Sequence, residues 1–134
     1  MSNDDYRRKA VGNIGENIAC QFLERKGFTV LERNYRKPWG EIDIIAEKAN
    51  TIRFIEVKAV SRESSLDVSR EMDYRPEEMV TVNKLRKLAK TAALYMEVKK
   101  DMREYQIDVV GVILNESTRT AICRFIEQAL EDNL

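Results

Sequence analysis

Residues 39–59 read WGEIDIIAEKANTIRFIEVKA, and this stretch decides the fold. Two runs rich in Ile, Val and Phe, residues 41–48 and 51–59, flank a short Ala49–Asn50 connection, the pattern of a β-hairpin. A turn centred between Ala49 and Asn50 sets Asp43 opposite Glu56 and Glu41 opposite Lys58. Side chains alternate along a strand, so these four project from one side, together with Ile45, Ile52 and Phe54. The other side carries Ile42, Ile44, Ala46, Ile55 and Val57 and is ready to pack. Two carboxylates directly opposite each other, with Cβ atoms roughly 5 Å apart, repel. Like charges at about 4 Å cost on the order of 1 kcal/mol in water and about 4 kcal/mol at an effective dielectric of 20. Such a pair persists with a cation, a shared proton or full exposure. A solvated sheet face of acid–base pairs and a divalent-metal site with oxygen ligands both meet that need. The apolar residues sharing the acid face count against plain solvation.

Composition narrows the chemistry. The chain has 134 residues, 43% of them hydrophobic, which suits one soluble domain, residues 1–134, with a substantial core. Its 23 basic and 23 acidic residues cancel, so nucleic-acid binding must come from local patches. The chain contains no histidine, which excludes Ser-His-Asp, Cys-His and His-metal chemistries and leaves carboxylates, lysines and metal. Cys20 and Cys123 form no metal-ligand cluster, and no apolar run resembles a signal or membrane span. A cytoplasmic protein with free thiols is the expectation.

Outward from the hairpin, residues 1–9 are polar and expected to be flexible, with Arg7, Arg8 and Lys9 as a basic lead-in. Residues 10–26 carry Val11, Ile14, Ile18 and Phe22 at helical spacing, with Ala19 and Leu23 widening the stripe, and Gly27 as a stop. Glu16 falls at the border of that stripe. Residues 28–35 should form the first strand. Arg33, Asn34, Tyr35, Arg36 and Lys37 then run into Pro38-Trp39-Gly40 as a loop. These cations and aromatics suit phosphates and bases; equally, the aromatics can pack the sheet end while the cations are solvated.

Beyond the hairpin, residues 60–75 show no apolar period and read as a long loop. Residues 76–98 read as the second helix, with Val82, Leu85, Leu88, Ala89, Ala92 and Met96 toward the core and Lys84, Arg86, Lys87 and Lys90 around the remainder. Residues 105–114 form an apolar strand interrupted by Asp108 and Gly111, and Asp108 is expected to be satisfied structurally by a partner such as Arg103. A turn at 115–117 leads to a last strand, 118–125, at or near a sheet edge, and an acidic tail, 126–134. An exposed apolar edge invites pairing with a second copy unless the tail folds back over it. Cys123 and Phe125 on one face of that strand and Ile122 on the other suggest packing on both sides. The order helix, three strands, helix, two strands predicts an α/β sandwich around a mixed five-stranded sheet, with the acidic hairpin central and the helices packed over the sheet.

An acid on one strand followed on the next by Glu-x-Lys resembles the PD-(D/E)XK nuclease superfamily, with Asp43 and Glu56-Val57-Lys58 in the motif positions. More closely, GEIDIIA, FIEVK, the Lys-rich helix and the R-x-x-x-x-D strand from Arg103 to Asp108 resemble the small bacterial YraN-like proteins. Those are similar to archaeal-type Holliday-junction resolvases, and the resemblance runs from about residue 15 to 112. It implies a restriction-endonuclease-like three-layer sandwich. It also implies a metal-dependent endonuclease of branched or structured DNA, such as a four-way junction, and hence a homodimer, because two strands must be cut. Asp43, Glu56 and the Val57 carbonyl would hold Mg²⁺ or Mn²⁺. Related nucleases place a glutamate on the first helix, and Glu16, within GEN-x-A, matches it as an auxiliary ligand. Lys58 would orient the attacking water or offset transition-state charge, and Glu41 would pair with Lys58. Lys84 matches a family lysine and joins Arg33, Arg36 and Lys37 as expected nucleic-acid contacts.

The chain departs from the family pattern after the motif lysine. Ala59 and Val60 stand where a hydroxyl residue and Arg are usual, Ser61-Arg62 being displaced, and no substrate contact is assigned to that loop. The alternative function is a catalytically inactive module on the same fold that binds nucleic acid or a partner.

Overall fold

The computed structural model describes residues 2–62 and 75–130. Helix α1 (Asn3–Arg25) opens on a capping box: Ser2 Oγ accepts the Asp5 N–H at 3.1 Å, and Asp5 Oδ2 accepts the Ser2 N–H at 3.4 Å. The helix therefore begins at Asn3, well before residue 10, because local capping outweighs the polar composition of the lead-in. It ends as expected, with Lys26 as the cap and Gly27 at φ +92°. Val11, Gly15, Ala19, Cys20 and Leu23 are buried, whereas Ile14 is exposed. The helix is thus rolled toward its small residues. Gly15 is the reason: it rests on Ala59, and a Cβ added there would collide with the Ala59 Cβ.

Strands β1 (Thr29–Lys37), β2 (Gly40–Lys48) and β3 (Thr51–Arg62) form an antiparallel meander. The β2–β3 turn has Ala49 at φ +51° and Asn50 at φ +65°, the two positive angles of a type I′ hairpin. After the 3₁₀ turn Pro76–Met79 and helix α2 (Val82–Lys99), strand β4 (Tyr105–Asn115) runs parallel to β3. Strand β5 (Thr120–Ile126) closes the sheet antiparallel to β4, so the five strands lie side by side in chain order. The result is an α/β fold on a mixed five-stranded sheet, with β3 at its centre and β5 at an edge. The chain reaches a parallel neighbour only by crossing over the sheet face, and α2 makes that crossing.

Three segments differ from the expectation. Residues 33–37 continue β1, paired through Arg36–Glu41 and Lys37–Gly40, because β2 offers them a ladder. β3 runs on to Arg62 against β4, so the expected 60–75 loop begins later; residues 63–74, with its centre, lie outside the described residues. The second helix is divided because Thr81 Oγ1 accepts the Lys84 N–H at 3.2 Å and starts α2 afresh after an extended Val80.

Each helix covers one sheet face. Ile44, Ala46, Ile55, Val110 and Val112 pack with α1, while Ile45, Ile52, Phe54, Ile107 and Val109 pack with Leu85, Leu88, Ala92, Tyr95 and Met96 of α2. Val82, expected on the core side of α2, is exposed, and Tyr95 takes that role. Ile42 was expected beside Ile44 but belongs to the α2-side cluster with Ile45. Strand β2 is therefore turned out of strict alternation at Asp43. The tail returns over the start of β4: Ala129 N–H donates to Ile107 O at 2.8 Å, and Leu130 packs on the α2-side core. Residues 131–134 lie outside the described residues. Cys20 is buried, Cys123 half-buried, and both are free thiols. Among the described residues no helix is long and apolar enough to cross a membrane.

Candidate functional site

The hairpin register follows the expected turn, with Lys48 opposite Thr51 and the ladder running to Ile44 opposite Ile55. Beyond that pair the Asp43 side chain takes over: its Oδ2 accepts the Val57 N–H at 2.9 Å. Glu56 is buried and points toward α2, where Lys84 Nζ lies 2.8 Å from its Oε1. Glu16 is also buried, brought to the sheet by the Gly15–Ala59 contact, with Arg33 Nη2 at 3.5 Å. Three elements, α1, β2 and β3, thus deliver one carboxylate each.

Electrostatics ties these acids together. Burial pushes the Glu56 carboxyl above its usual range and the Asp43 charge adds to the shift, while Lys84 opposes it. Asp43 is raised by burial against the pull of the Val57 N–H, Arg36 and Lys84. Glu16 is raised by burial and then by Asp43, with Arg33 opposing. Each acid is desolvated, and Asp43 repels both of the others. Among the described residues, no three His, Cys, Asp or Glu side chains come close enough together to grip one ion as they stand. Instead protein donors occupy the acids: Lys84 on Glu56, Arg33 on Glu16 and the Val57 amide on Asp43.

The remaining expected residues divide. Lys58 is half-buried, and alternation from Phe54 and Glu56 places it on the α2 side. Glu41 does not pair with it: Glu41 is exposed and lies 3.5 Å from Arg36 Nη1, its neighbour across β1–β2, because the β2–β3 ladder stops short of Lys58. Of the expected nucleic-acid contacts, Lys37 and Lys84 line a cleft of about 710 Å³ that also reaches Glu41 and Glu56. Arg33 turns instead to α1, donating to Asn17 Oδ1 at 2.6 Å as well as meeting Glu16. Arg36 is engaged with Asn34 and Glu41. Tyr35 is core, edge-on to Tyr95 at 5.4 Å, whereas Trp39 is 52% exposed at the cleft. Asp108 is structural, as expected, but with different partners: Arg53 Nη1 at 3.0 Å, the Gln106 amide and the Gln128 N–H. Arg103 is turned to Asp101 and Glu47.

One residue was missed. Glu77, in the 3₁₀ turn, is buried directly over Gly111, where an added Cβ would come 2.6 Å from its Oε1. Gly111 is the register partner of Lys58 in β3 and of Arg124 in β5, so Glu77 occupies the gap between two basic positions. Its Oε1 is buried without a hydrogen bond among the described residues. The sequence signal was Gly111 itself, since a glycine inside an apolar strand marks close approach by another group.

Comparison with known proteins matches residues 15–112 to a family model described as "Uncharacterised protein family UPF0102". A UPF0102 protein of Dictyoglomus thermophilum is 38% identical over 111 residues, covering 81% of this chain and 86% of the relative. One from Clostridium botulinum strain Hall is 39% identical over 129 residues, covering 94% of this chain and 98% of the relative. The matched span holds the hairpin, Glu16, Lys84 and Asp108 together, and on that agreement the chain belongs to the uncharacterised protein family UPF0102.

Proposed function

We propose that this protein is a metal-dependent DNA endonuclease of the PD-(D/E)XK type, on a restriction-endonuclease-like sandwich, akin to archaeal-type junction resolvases. One observation carries the reading: α1, β2 and β3 each bring one carboxylate to the same part of the sheet, where Asp43 accepts the Val57 N–H, Glu56 and Glu16 are buried, and the Asp43 charge bears on both of them. Structural ion pairs do not require acids that repel one another in a partly dry site, and functional sites often do. The donor set fits a hard divalent cation, since Asp43, Glu56, Glu16 and the Val57 carbonyl offer only oxygens. Mg²⁺ or Mn²⁺ held there would polarise a scissile phosphate and acidify a bound water.

The chain's own residues then have distinct tasks. Lys84 sits on Glu56, and an arriving phosphate gives that ammonium a second anion to hold. The Val57 N–H keeps Asp43 oriented through Oδ2, and Oδ1 is the oxygen that can turn to another partner. Lys58 supplies positive charge beside the attacking water, where it offsets charge developing on the phosphate.

A second reading, a binding module without turnover, is favoured by the Lys84–Glu56 pair, which neutralises one expected ligand in place. The discriminating assay is cleavage of four-way junction, flap and linear DNA with Mg²⁺ or Mn²⁺. The nuclease reading expects divalent-dependent cutting that disappears in Asp43→Ala and Glu56→Ala. Cutting that is unchanged in both variants would remove this site from consideration, and binding without cutting would support the module.

A further inference from the structure

Trp39 is the chain's single tryptophan, and it stands half in water at the β1–β2 turn while its neighbour Tyr35 is buried. The turn that carries it is not loose. Gly40 lies so close to α2 that a Cβ there would collide with Thr91 Oγ1, and Thr91 is itself buried and donates to Lys87 O at 3.1 Å. Trp39 thus sits on a turn held against α2 and lines the cleft of about 710 Å³, a volume in the range of small-ligand sites. Lys84 and Lys87 stand on the α2 rim, Lys37 on the strand rim, and Glu56 at one wall. Glu56 is answered by Lys84 and Glu41 by Arg36, whereas Lys37 and Lys87 form no ion pair among the described residues. Lys37 also lies over the Tyr35 ring at 5.5 Å, so the cleft brings two cations without a carboxylate partner among the described residues beside an accessible aromatic side chain.

An aromatic platform beside backbone-tracking cations is how single-stranded nucleic acid is held, because every unstacked base has a π face while a duplex keeps its bases stacked. We propose that this cleft takes one unstacked nucleotide of a single-stranded DNA segment, its base on the Trp39 indole and its flanking phosphates on Lys37 and Lys87. The strand then leads past Lys84 toward Glu56. This names the substrate class of the site above and rests on that reading for what happens at Glu56; the binding of the base does not.

The test uses the full chain without divalent metal, so that nothing is cut, and reads emission from Trp39 directly. Short oligothymidylate should quench it saturably, and a fully paired duplex of equal length should quench it far less. With labelled oligothymidylate followed by anisotropy, Trp39→Ala should weaken binding about 5- to 150-fold while Trp39→Phe retains most of it. Lys87→Ala, on an exposed helix face, should weaken binding and reduce the salt slope by about 1. Absence of quenching, or equal affinity for duplex and single strand unaffected by Trp39→Ala and Lys87→Ala, would overturn the proposal. The two readings fail separately. Cleavage lost in Asp43→Ala but with no quenching keeps the nuclease and removes this cleft; quenching without cleavage keeps the cleft and removes the nuclease.

Discussion

At the scale of single residues, Asp43 carries the most consequence. Its folded carboxyl lies above the ordinary 3.8 and that of Glu56 above 4.5, both chiefly through burial. A carboxyl raised on folding favours the folded state fully below its unfolded pKa, and that advantage is lost as pH rises through the folded value. Without divalent metal, these groups should therefore make stability fall from about pH 4 toward neutrality. Asp43→Asn keeps an acceptor for the Val57 N–H and removes the charge that repels Glu16 and Glu56. We expect it to stabilise the metal-free protein at pH 7 by about 1–2 kcal/mol, the order of like-charge repulsion in a partly buried site. Thermal unfolding of both proteins across pH checks this: the curves should converge near pH 4 and separate above it. A variant less stable at every pH would show that Asp43 is chiefly a structural acceptor. The sequence disclosed Asp43 and Glu56 through type and spacing, and Glu16 only through the family resemblance. Gly111 signalled a close approach but not that Glu77 makes it, and the partners of Asp108 and Glu41 follow from where other strands and turns come to rest.

Among elements, the α1–β3 contact sets the position of Glu16. Gly15 and Ala59 are both small because the helix lies directly on the strand, which also gives a physical reason for alanine after the motif lysine. Gly15→Ala should push α1 outward and cost about 1–3 kcal/mol. Ala59→Gly should relieve the clash, so that a denaturant double-mutant cycle shows favourable coupling of about 0.5–3 kcal/mol. Strictly additive losses would contradict this contact. The hairpin was legible from its alternation and its Ala49–Asn50 turn, and the register followed. Helix boundaries were less so: the Ser2–Asp5 box extended α1 forward and Thr81 split the second helix, since each cap depends on one side-chain hydrogen bond that apolar periodicity does not encode. The twist at Asp43 is likewise invisible to a period-two reading.

For the whole molecule, β5 is an edge strand with Thr120 and Ala121 exposed and Ile122 38% exposed. Cys123 and Phe125 pack toward α1 and Ile126 packs on the α2-side core, so β5 is packed on both faces at its end, although Ile122, expected to face the second side, is exposed. The tail through Leu130 returns to the α2-side core at β4 rather than along that edge. Cleavage of paired strands in a junction requires two sites, and β5 is the edge we expect to bring two copies together. Light scattering at micromolar protein, with divalent metal and junction DNA, should give a dimer; a monomer in every condition would favour nicking or simple binding.

Calorimetric titration with Mn²⁺ reads whether Glu16, Asp43 and Glu56 together form a cation site. The wild type should take up Mn²⁺, with Asp43→Asn weakening it by more than the roughly 10- to 100-fold that losing a supporting group costs. No heat of binding with or without DNA, or binding undiminished in Asp43→Asn, would contradict it.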